Sequence, residues 1–234
     1  MKICIIPARG GSKRIPRKNI KPFCGKPMIV WSIESAKTSA CFDRIIVSTD
    51  DAEIADVAKQ WGAEAPFVRP ASLSDDHTGT TAVIAHGIEW AASQGQAPSE
   101  VCCLYATAPF VTPEDLRRGL TVLTETGCDY TFSVTSYAFP IQRAIRISGV
   151  GRVEMFSPEY FSTRSQDLEE AYHDAGQFYW GRASAWLAAK PLFTHAAKPI
   201  LLPRHRVQDI DTSEDWERAE LMFEILNKSR EVRV

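Results

Sequence analysis

The sequence lacks most of the features that would place it in a class at a glance. No apolar run approaches the roughly 20 residues of a membrane helix, and the short apolar start MKICIIPARGG is interrupted by Arg9 before a signal-peptide core can form. Cys4, Cys24, Cys41, Cys102, Cys103 and Cys128 make no CxxC pair and no zinc-like Cys/His spacing. They read as reduced core thiols in a cytoplasmic protein. There is no internal repeat and no low-complexity tract. A net charge of −2 gives no reason to expect a nucleic-acid partner, and no segment suggests a membrane partner.

One absence is local. Between Arg9 and Lys26 there is no acidic residue, while seven of the 27 basic residues fall there, leaving 20 against 29 acids elsewhere. The stretch IPARGGSKRIPRKN begins at Ile6. It fails the Walker template, because Ile15 and Pro16 stand where a second glycine is required, and adjacent Gly10 and Gly11 fail G-x-G-x-x-G. The physics of phosphate binding does not need either template. A glycine-containing loop after the first strand of an α/β sheet lies where ligands bind, and its backbone can approach an anion closely. Arg9, Lys13, Arg14, Arg17, Lys18 and Lys21 add charge for a polyphosphate. Single-stranded RNA would call for interleaved aromatics, and Phe23 is the only one in the stretch.

What is present is an alternation. Strands are predicted at Lys2–Ile6, Arg44–Ser48, Ala65–Val68, Val101–Tyr105, Tyr130–Tyr137, Gln177–Trp180 and Val207–Ile210. Helices are predicted from Pro27, over Asp51–Trp61, Thr80–Ser93, Pro113–Thr124 and Ala183–Ala189, and from Thr212 to Leu226. Such alternation means an α/β fold with a mostly parallel sheet in a single domain. Residues 139–175 break the rhythm with short strand-like pieces and a polar aromatic segment. They read as an inserted arm contacting a second subunit, or equally as an irregular excursion over the same domain.

A second motif complements the basic loop. In Gln208-Asp209-Ile210-Asp211-Thr212 two carboxylates at i and i+2 share one side of an extended segment, a donor pair suited to Mg²⁺ held jointly with phosphate oxygens. The competing reading is that Asp211 caps the helix that follows.

Beyond these motifs, IPARGGSKRIPRKNIKPFCGKP, RIIVSTDDAEIADVAKQWGAE, FVRPASLSDDHTGT, LYATAPF and VQDIDTSEDW together resemble the CMP-sialic acid synthetases, or acylneuraminate cytidylyltransferases, from residue 1 to about 226. FPIQRA and STRSQDLEEAYHDAGQFYW are most similar to the branch handling pseudaminic acid. The resemblance implies a Rossmann-like, glycosyltransferase-A-like nucleotidyltransferase of three layers, dimeric through its arm. It implies CTP and a nonulosonic acid as substrates, Mg²⁺ as cofactor, and a product used on flagellin or surface polysaccharide. By the same resemblance Arg9, Lys18 and Asp211 are catalytic. Ala8, Arg9, Gly10, Gly11, Ser12, Lys18, Asn19, Arg69, Asp76 and Thr80 bind the nucleotide. Tyr105, Gln177 and Tyr179 face the sugar, with Arg143 and Arg164 reaching it from a second subunit, and Asp209 and Asp211 carry the metal. Two positions depart from the family pattern. Arg14 stands where many members have glycine, and Tyr105 where they have glutamine, whose paired donor and acceptor a phenol cannot reproduce. This disfavours N-acetylneuraminic acid. No general base stands out; His77, His86 and His173 are candidates, each of a type more often structural or exposed.

Overall fold

Ile3, Cys4, Ile5 and Ile6 are completely buried, and alternate members belong to different cores. The computed structural model describes residues 1–76 and 78–231. In it these residues form β1 (Lys2–Pro7), which lies between β4 (Arg44–Ser48) and β5 (Glu100–Leu104), parallel to both. A strand covered on both faces needs apolar residues at every position, and burying each isoleucine contributes about 1.5–3 kcal/mol.

The six-stranded sheet adds β6 (Tyr130–Ser136), β9 (Tyr172–Arg182) and β10 (Ala197–Leu201), in the order β10-β6-β9-β5-β1-β4. Only β9 runs antiparallel to its neighbours. Cys4 and Ile6 share a core with α1 (Met28–Ser39), α2 (Ala52–Gln60) and α4 (Pro113–Thr126). Ile3 and Ile5 pack instead with α3 (Thr80–Ser93) and α5 (Ala183–Leu187). The result is the expected three-layer α/β/α arrangement. No helix among the described residues is long and apolar enough to cross a membrane.

A third core pins the basic loop. Ile15 and Phe23 are buried with Phe110, Ile210 and, from α6 (Ser213–Glu231), Trp216 and Phe223. The loop closes through β2 (Pro22–Phe23) and β3 (Lys26–Pro27), joined at Cys24 and Gly25, both at positive φ as a tight two-residue hairpin requires. The remaining short strands, β7 (Ile145–Ile147) and β8 (Val153–Met155), pair only with each other.

Three strand expectations need correction. Of Ala65–Val68 only Val68 makes a bridge, to Thr49 just past β4, and Pro66 has no N–H to give a ladder. Val207–Ile210 forms no ladder. The last strand is β10, concealed in the sequence by Pro199, which an edge strand tolerates. In addition, β9 starts at Tyr172, well before the expected Gln177.

Candidate active site

The basic loop and the carboxyl end of β5 border a cleft of about 720 Å³, lined among others by Arg9, Lys18, Asn19, Arg69, Thr80 and Tyr105. Of the seven loop cations, Arg9, Lys13, Arg14 and Lys18 line it. Arg17 does not, because it is bound by Asp51 and Glu53 at the start of α2. That hydrogen bond is the main reason the Asp51 carboxyl stays below its usual range. Lys21 lies 4.4 Å from the Trp216 ring centre, and Lys26 pairs with Glu34 at 2.6 Å. These three brace the loop, which corrects the expectation that Arg17 and Lys21 serve a phosphate.

The glycines also serve differently than expected. Gly10 donates its N–H to Asp50 at 2.9 Å, and a Cβ there would lie 2.6 Å from an Asp51 oxygen, so its role is close approach. Gly11 has open space around it, Ala8 is buried, and the Asn19 amide donates to the Arg9 carbonyl at 2.9 Å. Ser12 lines the cleft.

At the far side of the loop, the Lys18 ammonium donates to the Ile210 carbonyl at 2.7 Å and reaches Asp211 at 3.3 Å, while Arg14 meets Asp211 at 2.9 Å. The helix cap that competed for Asp211 is supplied by others. Asp215 accepts from the Thr212 N–H at 2.8 Å, and the Thr212 hydroxyl accepts from the Asp215 N–H at 3.2 Å. The Asp211 carboxylate is thereby left to the cations. Partial burial first, and the charge of Asp211 second, raise the Asp209 carboxyl above its ordinary range. Among the described residues no three His, Cys, Asp or Glu side chains converge, so a cation here would have two carboxylates and would need oxygens from elsewhere.

Asp76 accepts from Arg9 at 2.6 Å and pairs with Lys13, and those bonds, Lys13's first, hold its carboxyl below the usual range. Arg69 is only 4% exposed. It donates to Ser74 at 3.2 Å, and its buried Nη2 makes no hydrogen bond among the described residues but stands 3.7 Å from Asp50. Burial lowers its affinity for a proton, Asp50 opposes that, and Arg9 adds to it. A cation in that state is poised to take an anionic or carbonyl acceptor.

Two hydroxyl-bearing side chains, Thr80 and Tyr105, also line the cleft. Thr80, at the start of α3, stands 3.3 Å from the Tyr105 hydroxyl. Behind Tyr105 lies Tyr179, their ring centres 5.4 Å apart, with the Tyr179 hydroxyl donating to Asp174 at 2.6 Å.

A family profile described as Cytidylyltransferase matches residues 3–189. The chain belongs to the cytidylyltransferase family. It is 46% identical to the pseudaminic acid cytidylyltransferase of Campylobacter jejuni, over 97% of this chain and 98% of that one. It is 34% identical to the CMP-N,N'-diacetyllegionaminic acid synthase of Legionella pneumophila, over 95% and 96% of the two chains. In fold, this cytidylyltransferase is similar to a CMP:2-keto-3-deoxy-manno-octonic acid synthetase complexed with CTP, with a TM-score of 0.68 and 17% identity over 95% of this chain and 98% of that chain.

Several expected site residues of the cytidylyltransferase lie away from the cleft. Gln177 is buried and donates to the Arg206 carbonyl at 2.6 Å, so it supports the wall from behind, as Tyr179 does. Arg143 donates to the Thr163 carbonyl at 2.6 Å, and Arg164 pairs with Asp167 at 2.7 Å, both within the excursion. His77 falls outside the described residues. His86 abuts Phe67, and His173 packs on Tyr137 with its Nδ1 2.8 Å from the Asp174 carbonyl; neither lines the cleft.

Three supporting residues escaped the sequence reading. Asp50, whose only signal was its place at a strand end opposite the loop, joins Gly10 to Arg69. Arg206 pairs with buried Asp115 just before the D-I-D segment; burial would raise that carboxyl, but Arg206 and Thr112 together hold it down. Asp174 was marked only by lying within the STRSQDLEEAYHDAGQFYW stretch.

Proposed function

We propose that this cytidylyltransferase moves CMP from CTP onto the anomeric hydroxyl of a nonulosonic acid, pseudaminic acid being the best match, and releases pyrophosphate. The observation that carries the reaction is the meeting of Arg14 and Lys18, which line the cleft, with Asp211 behind them, while the same cleft carries the hydroxyls of Thr80 and Tyr105. The sugar rests on the 46% identity with the Campylobacter jejuni enzyme along nearly the whole of both chains, together with a phenol, Tyr105, in the cleft wall.

In the proposed reaction the anomeric oxygen bonds to the α-phosphorus as the bond from that phosphorus to the bridging oxygen breaks. Pyrophosphate leaves with the electron pair, and the hydroxyl proton passes to solvent. Arg9 and Lys18 stabilise charge gathering on the phosphate oxygens. Arg69 offers the nucleotide its Nη2, which makes no hydrogen bond among the described residues. Asp209 and Asp211 would hold Mg²⁺, which when bound polarises phosphate oxygens and orients the leaving group.

We also place the arm between two copies of the chain. Its two-stranded hairpin is marginal alone, yet it exposes Ile147 at 74% and Val153 at 65%, with Phe139 and Phe161 nearby in sequence. A second copy would cover that face and bring Arg143 and Arg164 to the sugar carboxylate. Light scattering on an Ile147→Glu/Val153→Glu variant should give monomers; an unchanged mass would refute the arrangement.

The reaction is tested by pyrophosphate release, crossing CTP, UTP and ATP with pseudaminic, legionaminic and N-acetylneuraminic acids. CTP with pseudaminic acid should turn over fastest. No release from CTP with any of these acids would defeat the proposal.

A further inference from the structure

Both oxygens of the Asp211 carboxylate already hold a cation. Arg14 meets Oδ2 at 2.9 Å, and the Lys18 ammonium stands 3.3 Å from Oδ1. The segment that carries the carboxylate is itself fixed. The Ile210 side chain is buried in the core beneath the loop, and the Asp211 N–H donates to Asp215 at 3.2 Å. The two cations differ in what else holds them. Lys18 is 20% exposed and also donates to the Ile210 carbonyl at 2.7 Å, so it stays in place whatever Asp211 does. Arg14 is 67% exposed, and its ion pair among the described residues is with Asp211. A pair that open to water is weak and exchanges readily.

A divalent ion is repelled by a guanidinium seated on the same carboxylate. Mg²⁺ draws a carboxylate oxygen to about 2.0–2.1 Å, and Oδ2 of Asp211 is where Arg14 stands. To bind Asp211 strongly the ion has to dislodge Arg14, and Arg14 then needs another anion. The two carboxylates that line the cleft are engaged, Asp76 by Arg9 and Lys13 and Asp75 by Thr78. A triphosphate supplies the missing anion, because it has charged oxygens for Arg14 and for the metal at once. Arg14 lines the same cleft as Arg9 and Lys13, so the exchange needs no change of place in the fold.

We infer that Arg14 is a built-in competitor for the metal at Asp211: it holds the carboxylate until CTP arrives and then passes to the phosphates, so that metal and nucleotide bind together rather than in turn. This rests on the proposed function for the metal at Asp209 and Asp211 and adds the order in which that site is filled. The coupling is reciprocal. Whatever Arg14 adds to the metal's preference for the CTP-bound protein, it adds equally to the preference of CTP for the metal-bound protein.

Arg14→Gln removes the charge and keeps a polar side chain. Without nucleotide, titration of free Mn²⁺ followed by electron paramagnetic resonance should show this variant binding the ion about fivefold more tightly than wild type, the scale of one exposed ion pair that no longer has to be displaced. Arg14→Lys should stay near wild type. Lys13→Gln takes the same charge from the same loop, but from Asp76, and should move the Mn²⁺ affinity by less than about twofold. Arg14→Gln/Asp211→Asn should lose the whole gain, because the carboxylate that Arg14 released is gone. In calorimetry with EDTA present, Arg14→Gln should bind CTP several-fold more weakly than wild type. Equal Mn²⁺ affinity in Arg14→Gln and wild type would overturn the inference. So would an equal gain in Lys13→Gln, which would reveal only the general field of the loop, or a gain that survives Asp211→Asn. Unchanged metal-free CTP binding in Arg14→Gln would defeat the transfer to the phosphates, and with it the inference. A wild-type protein inert towards every sugar acid, with these Mn²⁺ and CTP shifts intact, would remove the proposed function and leave the competition standing.

Discussion

At one end of the cleft Arg9, Lys13, Arg14 and Lys18 project from a loop and meet carboxylates through largely exposed ion pairs. At the other end Tyr105 is set by strand neighbours, backed by Tyr179, which is only 4% exposed. Exposed ion pairs are individually worth about 0–1 kcal/mol and yield readily to a better partner. In the proposed reaction Asp76 and Asp211 would therefore serve as exchangeable counter-charges, and a triphosphate would take their place on Arg9, Lys13 and Arg14. Buried hydrogen bonds are costly to leave unmade and demand a matching partner. The cationic end suits a highly charged group shared by many substrates, and the phenolic end suits discrimination among similar sugars.

The contrast breaks most visibly at Asp211. If the charged end carries the chemistry, Asp211→Ala should lower kcat/KM for pyrophosphate release about 10³-fold, the scale of losing a key electrostatic group. Tyr105→Phe should leave kcat for the saturated enzyme nearly intact and raise the sugar KM about tenfold. Steady-state kinetics on both variants decide it. Equal losses in the two, spread alike over kcat and KM, would erase the distinction between a chemical end and a selecting end.

Salt separates the two ends next. Raising ionic strength shortens the Debye length from about 10 Å at 0.1 M to about 3 Å at 1 M, so the wild-type CTP KM should climb several-fold across that range. The ratio of sugar KM between Tyr105→Phe and wild type should stay flat, because a desolvated hydrogen bond is little screened. A Tyr105→Phe defect that faded with salt would show that the phenol acts through the charged end.

These two ends were not equally readable in the sequence. The loop announced itself because its signal is local: seven cations, two glycines and no acid in one stretch. Local composition did not tell which cations face the cleft. That depends on Asp51, Glu53, Trp216 and Glu34, which arrive from α2, α6 and α1. The alternation of strands and helices was legible wherever apolar periodicity was intact, and failed at β10, where Pro199 imitates a loop, and at Ala65–Val68, where an apolar run never joins a ladder. The contact of Asp174 with Tyr179 was invisible because it comes from a bulge, and a bulge is a mismatch between two strands that neither strand shows alone. Asp211 was ambiguous for a related reason. Only the placement of Asp215 on Thr212 reveals that another side chain holds the cap.

The smallest expected effect probes the cost of the charged end to the fold. The Asp209 carboxyl lies above its ordinary range because partial burial and then Asp211 disfavour its charge. The folded chain therefore holds that proton more tightly than the unfolded chain. Stability is full below the unfolded value, about 3.9 for aspartate, and declines as pH rises through the folded value. At neutral pH the ionised group is a net liability that Asp209→Asn removes, so the variant without ligand should melt about 2 °C higher than wild type at pH 7. That advantage should shrink as pH falls towards 4, where both proteins carry a neutral group. Excess CTP with Mg²⁺ should reverse the order, because a ligand stabilises whichever protein binds it more tightly. A variant that melted below wild type at pH 7 without ligand would show that Asp209 serves the fold. The strain between two like charges would then have to be sought elsewhere at this end of the cleft.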